Sequence, residues 1–431
     1  MKYSVMTFGC RVNQADSLAI EADLRALGGH AVTPDQADVV VVNSCSVTAT
    51  ADQGTRQAVR RVARDNPDAR IVVTGCYATR SPRELEALPG VVHVVPNDGK
   101  SDLVRLLHRE LARDPDLETT AHRYAGGDGP CGADAARLTP GAMGRTAFTL
   151  RVQTGCDEPC AYCIIPTTRG RSRSAALGDL VRDLQRIEDA GYREVTLTGV
   201  HLGAYGRDLE PPTSLTALLH RALDATREIV LRLGSLEPMD CTAELLDLAC
   251  ATDRLAPAFH LPLQHASDTV LRAMRRPYTL AQYEALVTEL RVRLPNASIT
   301  SDIIVGFPGE GEEDADVLVD YLERSPLTQL HVFPYSDRPG TEASRMESKV
   351  HGTIVRERGR RVRDVGARLA SAFLESQMPG PHRALTIHDG TAAVTINGIR
   401  CVLTERRPRN AWVKVSLRQA DTAIVGESLG A

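Results

Sequence analysis

A chain of 431 residues, a quarter of them charged and with a formal charge of only −4, exceeds what one ordinary core organises and is expected to form two or three domains. It holds no apolar run of roughly eighteen residues, which excludes a transmembrane helix, and Met1-Lys2-Tyr3-Ser4-Val5-Met6 lacks the layout of a signal peptide. The expected compartment is therefore the cytoplasm, where clustered cysteines act as metal or redox ligands rather than disulfides.

The first 124 residues alternate between strand and helix patterns. Tyr3–Phe8, Asp38–Asn43 and Arg70–Thr74 are short β-branched runs, and helical periodicity follows at Ser17–Leu27 and Gln53–Asp65. That alternation predicts a parallel α/β domain. Cys10, Cys45 and Cys76 each lie just past one of these strands, so the carboxyl edge of the sheet is expected to gather them. Residues 125–145, rich in Gly, Ala and Asp, read as a linker, and Cys131 within it reads as a free thiol rather than a further ligand.

Residues 146–375 repeat the alternation about six times. Strands are expected at Phe148–Gln153, Glu194–Thr198, Ile229–Leu233, Phe259–Leu263, Ser298–Val305 and Leu330–Tyr335, with helices such as Leu177–Ala190, Leu215–Ala225, Leu280–Leu294 and Asp314–Arg324 between them. Six units fall short of a closed eight-fold barrel, so a partial (β/α)6 barrel with its chemistry at the strand carboxyl ends is predicted. A basic helical stretch closes this part at about 353–375. In residues 376–431, short alternating strands (Ala384–Ile387, Ala392–Ile396, Trp412–Leu417, Thr422–Val425) are separated by Asp389-Gly390 and Asn397-Gly398, and suggest a small all-β barrel. Residues 345–368 carry eight Lys and Arg against three acids, and 405–418 five against one, a local basic balance compatible with nucleic acid.

Six of the ten cysteines fall into two sets of three. Cys156, Cys160 and Cys163 form a C-x3-C-x2-C run. A structural zinc site wants four tetrahedral ligands, and no nearby Cys or His completes this set. Three thiolates instead leave one iron of a cubane cluster open. The spacing resembles the radical S-adenosylmethionine (SAM) superfamily, in which Tyr162 occupies an aromatic position beside the adenine of SAM.

With the N-terminal cysteines included, the resemblance narrows to the methylthiotransferases. It rests on Phe8-Gly9-Cys10-Arg11-Val12-Asn13-Gln14, Val42-Asn43-Ser44-Cys45-Ser46-Val47-Thr48 and Thr74-Gly75-Cys76. It extends through Thr198-Gly199-Val200-His201-Leu202-Gly203, Leu231-Arg232-Leu233-Gly234-Ser235-Leu236-Glu237-Pro238, His260-Leu261-Pro262-Leu263-Gln264 and Asp302-Ile303-Ile304-Val305-Gly306-Phe307-Pro308-Gly309-Glu310. Ala266 stands where the family pattern carries Gly. The last domain is similar to a TRAM domain, an RNA-binding module.

The resemblance implies two [4Fe–4S] clusters, one on Cys156, Cys160 and Cys163 that binds and cleaves SAM, and an auxiliary one on Cys10, Cys45 and Cys76 that supplies sulfur. It implies Gly199, Ser235, Glu237 and Asp302, with Tyr162, as SAM contacts. It also implies tRNA, a reducing electron donor and a sulfur donor as partners, and no membrane. The stretch Ile164-Ile165-Pro166-Thr167-Thr168-Arg169-Gly170-Arg171-Ser172-Arg173-Ser174 most resembles the class acting on N6-threonylcarbamoyladenosine at position 37 of tRNA. Isopentenyladenosine in tRNA and a ribosomal-protein aspartate are the alternative substrates, and a non-catalytic iron–sulfur RNA-binding redox sensor is the alternative of another class. Arg171 and Arg173 suit either a substrate carboxylate or tRNA phosphates.

Overall fold

Runs of Val, Ile and Thr too short for helices build three parallel sheets in the computed structural model, which describes residues 1–111, 140, 146–421 and 423–429. The expected linker thiol Cys131 and nearly all of 125–145 lie outside the described residues. No described helix is long and apolar enough to cross a membrane.

The N-terminal unit runs β1 (Lys2–Thr7), α1 (Arg11–Ala26), β2 (His30–Ala31), β3 (Val39–Ser44), α2 (Ala49–Asp65), β4 (Arg70–Gly75), α3 (Cys76–Arg80), α4 (Pro82–Glu86), β5 (Val91–Val95) and α5 (Lys100–Leu111). Its five strands are all parallel in the order β2-β1-β3-β4-β5. Every residue of β3 is buried, as a central parallel strand covered on both faces requires. Register aligns Thr7 with Asn43 and Asn43 with Thr74, so three strands end level and each delivers a cysteine within three residues. The expected helix Ser17–Leu27 begins earlier, directly after Cys10, because Asn13, Asp16 and Ser17 form a polar patch on its buried face and hide the apolar period.

The central unit continues with β6 (Phe148–Arg151), β7 (Gln153–Thr154), α6 (Ile165–Arg169), β8 (Arg173–Ser174), α7 (Leu177–Asp189), β9 (Glu194–Thr198), α8 (Leu215–Ala225), β10 (Val230–Leu233) and α9 (Ala243–Ala251). There follow β11 (Ala258–His260), α10 (Asp268–Ala273), α11 (Leu280–Arg293), β12 (Ser298–Val305), α12 (Glu312–Arg324), β13 (Gln329–Pro334) and α13 (Gly352–Ser376). Two parallel sheets, β6-β9-β10 and β11-β12-β13, meet through bridges such as Ser235–His260, giving the six-stranded partial barrel the alternation predicts. Burial alternates strictly along β12: Ile299, Ser301, Ile303 and Val305 pack outward under the helices, which turns Asp302 and Ile304 to the lumen. Ala22 of α1 joins this core, so α1 is packed by both units.

The last five strands, β14 (Pro381–Ile387), β15 (Ala392–Thr395), β16 (Arg400–Leu403), β17 (Trp412–Ala420) and β18 (Ala423–Ser428), close into a barrel in the order β14-β15-β16-β18-β17. This barrel touches the central unit where strands begin. Asn397 Nδ2 donates to Asn296 O at 2.8 Å, just before β12, and Asn410 Nδ2 to Gly191 O at 2.6 Å, just before β9. The cysteines occupy the opposite end. Part of the basic stretch leading to it is engaged within the fold: Arg358, Arg361 and Arg368 on α13 pair with Glu310, Glu312, Asp316 and Glu323.

Candidate active site between two cysteine triads

Cys10 caps α1, Cys45 follows β3 and Cys76 opens α3. Cys45 and Cys76 are buried and Cys10 is exposed, so the set opens on one side. Gly9 adopts φ +88, and a Cβ there would stand 2.4 Å from Cys45 Sγ, so only glycine lets the two loops meet. Burial pushes the Cys45 thiol up to about 12, with Cys10 and Cys76 adding to the rise. Cys45 thus resists ionisation until a cation binds it. Donors already face the sulfurs: Val47 N–H lies 3.5 Å from Cys45 Sγ and Asn97 Nδ2 3.6 Å from Cys76 Sγ. All-sulfur ligation with N–H···S support, and no fourth thiol beside it among the described residues, fits an iron–sulfur cluster with an open iron.

The second triad lies in the loop between β7 and α6. Gly155 makes the turn possible, since a Cβ there would fall 1.8 Å from Arg171 O. Burial again raises Cys163 to about 12, with Cys160 and Cys156 contributing. Glu158 N–H lies 3.4 Å from Cys156 Sγ, and Arg276 Nη1 lies 3.1 Å from Cys160 Sγ. His201 places Nδ1 3.9 Å from Cys156 Sγ, with Nε2 2.7 Å from Asp240. Burial opposes its charge, yet Asp240 and Cys156 lift the imidazole to about 10. This triad fits a second cluster on the same grounds.

A cavity of about 190 Å³ lies between the triads. Its walls run from Tyr162 and Cys163 to Val47 and Thr48, next to Cys45, with Gln264, Asp302 and Tyr335 among the rest. Asp302 Oδ1 is shared by His260 Nε2 at 2.9 Å and His331 Nδ1 at 3.0 Å, and these hydrogen bonds hold its carboxyl at about 2 despite burial. Ser235 bridges to His260, Gly199 follows β9 and lies against Gln153, and Glu237 grips Arg276 beside Cys160. The predicted residues therefore gather at one mouth, except the arginines. Arg171 is exposed and pairs with Asp157, and Arg173 is likewise exposed.

The inward-facing arginine is Arg169. With Lys100 and Arg151 it surrounds buried Asp16: Lys100 Nζ at 2.7 Å, Arg151 Nη1 at 2.5 Å and Arg169 Nη2 at 2.9 Å. Burial alone would raise the Asp16 carboxyl, but the three cations hold it far below the ordinary range. The same cations outweigh burial at Cys76, where Arg169 and Lys100 lower the thiol. A second seam joins Arg338 to Asp52 and to Ser46 O. Sequence reasoning missed Asp16, Lys100, Arg276, His201 and Arg338. Asn13, Asp16 and Ser17, three polar residues in line with Ile20 and Leu24 on α1, are the signal that could have exposed the first.

A partial six-stranded barrel carrying a C-x3-C-x2-C loop at its mouth defines the radical SAM class. Residues 150–322 match the Radical SAM superfamily, and residues 2–96 match the uncharacterized protein family UPF0004. The threonylcarbamoyladenosine tRNA methylthiotransferase MtaB of Bacillus subtilis (strain 168) is 37% identical over 85% of this chain and 80% of its own length. Its Aquifex aeolicus counterpart is 36% identical over 90% and 93%. A tRNA-2-methylthio-N(6)-dimethylallyladenosine synthase of Corynebacterium efficiens is 34% identical over 84% and 70%. Among solved structures, the radical SAM methyltransferase TsrM of Kitasatospora setae shares the fold, with TM-score 0.54 at 16% identity over 77% of this chain and 72% of that one. The chain belongs to the methylthiotransferase family of radical SAM enzymes, which work with SAM and [4Fe–4S] clusters.

Proposed function

We propose that the protein converts N6-threonylcarbamoyladenosine in tRNA to its 2-methylthio derivative. The observation that carries this reading is the cavity shared by Cys163 and the residues beside Cys45, because one adenine there can face both triads. The names of the relatives at 36–37% identity supply the nucleoside.

In this reading residues 1–124 hold the auxiliary cluster on Cys10, Cys45 and Cys76. Residues 146–375 hold the SAM cluster on Cys156, Cys160 and Cys163, and residues 376–431 form the TRAM-like barrel. When bound, the clusters and SAM supply the electron, the radical that removes hydrogen from adenine C2, and the methylthio group. The chain's own residues bind and orient. Tyr162, which lines the cavity, would lie against the adenine of SAM, and Gly199 would give room for close approach. Ser235, Glu237 and Asp302 would take SAM's polar groups, Glu237 being fixed by Arg276. The apolar walls Ile164, Ile304 and Phe333 keep water from the reacting carbon. Arg171 and Arg173, exposed beside the loop, contact tRNA backbone rather than a substrate carboxylate. A reducing electron donor and a sulfur donor complete the cycle in the cytoplasm.

Nucleoside mass spectrometry tests the reading. Threonylcarbamoylated tRNA is incubated anaerobically with the reconstituted protein, SAM and a reductant, then digested. A methylthio form of the nucleoside is expected. If 5′-deoxyadenosine accumulates without it, the substrate is wrong, and isopentenyl tRNA and the ribosomal aspartate are assayed next. If no SAM is cleaved at all, the redox-sensor reading replaces this one.

A further inference from the structure

Arg169 ends α6, the short helix that follows Cys163, yet it points away from that triad into the seam with the N-terminal unit. Two of its three nitrogens are accounted for: Nη2 donates to Asn13 Oδ1 at 2.5 Å and Asp16 Oδ2 at 2.9 Å, and Nη1 donates to Thr154 Oγ1 at 3.3 Å. The Nε–H is buried and has no acceptor among the described residues. A buried guanidinium N–H without an acceptor is costly, and native folds rarely leave one unless a ligand completes it. The neighbouring geometry names the ligand's place. Asn97 Nδ2 donates to Thr168 O at 2.7 Å and lies 3.6 Å from Cys76 Sγ, so the residue before Arg169 is tied to the auxiliary triad through one amide.

We propose that Arg169 is the electrostatic anchor of the auxiliary [4Fe–4S] cluster, donating its orphan Nε–H to sulfur on the Cys76 side. The proposal rests on the assignment of Cys10, Cys45 and Cys76 as cluster ligands. A cluster on three thiolates brings negative charge into a buried site, and that charge grows by one on reduction. Hydrogen bonds to sulfur and nearby charge set how readily the electron is accepted. Arg169 stabilises the reduced state, and Asp16, its carboxylate partner, tempers that effect. Arg169 is thus a positioning residue. It also ends the short helix that follows the second triad, so one five-residue helix separates the two sites.

The test uses the full chain with Cys156, Cys160 and Cys163 replaced by Ala, so that only the auxiliary site can load. After anaerobic reconstitution, about four irons per chain and a [4Fe–4S] electron paramagnetic resonance signal on reduction confirm the cluster. Absence of iron here overturns the ligand assignment rather than the role of Arg169. Potentiometric titration then compares variants. Arg169→Gln is expected to lower the midpoint potential, Asp16→Asn to raise it, and Arg169→Lys, which keeps charge but not the Nε–H, to fall between wild type and Arg169→Gln. Opposite signs for Arg169→Gln and Asp16→Asn support the proposal. Unchanged potentials, shifts of the same sign, or loss of iron from both variants, as a merely structural seam would give, overturn it. If Arg169→Gln alone fails to load, the upward shift of Asp16→Asn decides.

Discussion

Arg276 Nη1 lies 3.1 Å from Cys160 Sγ while the other arm of the same guanidinium holds Glu237. The side chain is buried and stacks 5.0 Å from the Tyr278 ring centre, so its orientation is set by contacts on three sides. A planar fork can serve a sulfur and a carboxylate together, which a lysine ammonium cannot do in the same geometry. Arg276→Lys is therefore expected to keep its iron but to slow 5′-deoxyadenosine formation roughly 10- to 100-fold, the usual cost of losing a group that orients a ligand. Anaerobic product quantification against measured iron checks this. A wild-type rate in the variant would remove Arg276 from the site.

The two triads should fail differently. Cys160→Ala is expected to abolish SAM cleavage, because a cluster on Cys156, Cys160 and Cys163 would lose a ligand. Cys76→Ala is expected to spare cleavage and stop methylthio transfer. Both products can be read in one assay, 5′-deoxyadenosine by chromatography and the modified nucleoside by mass spectrometry. Cleavage at wild-type level in Cys160→Ala would defeat the assignment.

Arg338 reaches from the loop after β13 to Asp52 Oδ2 at 2.6 Å and Ser46 O at 3.1 Å, one residue past Cys45. Removing one partner of a buried ion pair typically costs about 3–5 kcal/mol. Asp52 keeps Arg80 at 2.7 Å, so Arg338→Ala should fall at the low end of that range. A lowered melting transition with faster proteolysis between the units is the expected result. An unchanged melting profile would show that the seam does not depend on this pair.

Three of the five strands of the N-terminal sheet and the six strands of the central barrel were legible because β-branched runs are local signals, and so was the placing of Cys10, Cys45 and Cys76 just past three of those strands, whereas β2 and β5, two and five residues at the sheet's edges, were not read. Strand β16 escaped, since Arg400-Cys401-Val402-Leu403 is four residues with one exposed Val and gains its meaning only by closing the barrel against β18. The seam escaped for a different reason. Asp16, Lys100, Arg151 and Arg169 come from four separate elements, and each reads alone as a solvated charge. Arg171 and Arg173 drew attention by their place near the triad, while the structure turns Arg169 inward instead. One turn of backbone around Gly170, at φ +70, separates the two outcomes.

Glu21 offers a pH test away from the clusters. It is 5% exposed, and one carboxylate oxygen has no hydrogen-bond partner. Burial raises its carboxyl to about 7, only partly offset by Arg25. The fold thus favours the protonated form. Its stability contribution is complete below the unfolded value near 4.5 and is lost as pH rises through about 7. Glu21→Gln should match wild type near pH 5 and exceed it at pH 8 by on the order of 2–3 kcal/mol. Denaturant titrations at the two pH values measure this. The same difference at both would show that Glu21 does not titrate across the window.

The C-terminal barrel meets the central unit where strands begin, while both triads lie where strands end. Its basic rim, Arg406, Arg407 and Arg409 beside His388, can therefore act on tRNA only at a distance from the reacting base. Two of these arginines have exposed acidic neighbours, Arg406 with Asp389 and Arg407 with Glu405, and such pairs are weak enough to be exchanged for phosphates. Arg406→Glu with Arg407→Glu should weaken tRNA binding and flatten its salt dependence by about 0.7–0.9 log units per log salt for each phosphate that is no longer neutralised. Turnover at saturating tRNA should stay near wild type. Titrations at two salt concentrations, paired with turnover, separate the cases. Unchanged affinity would mean that tRNA does not reach the rim, and abolished turnover with intact affinity would mean that the barrel works by supporting the central unit.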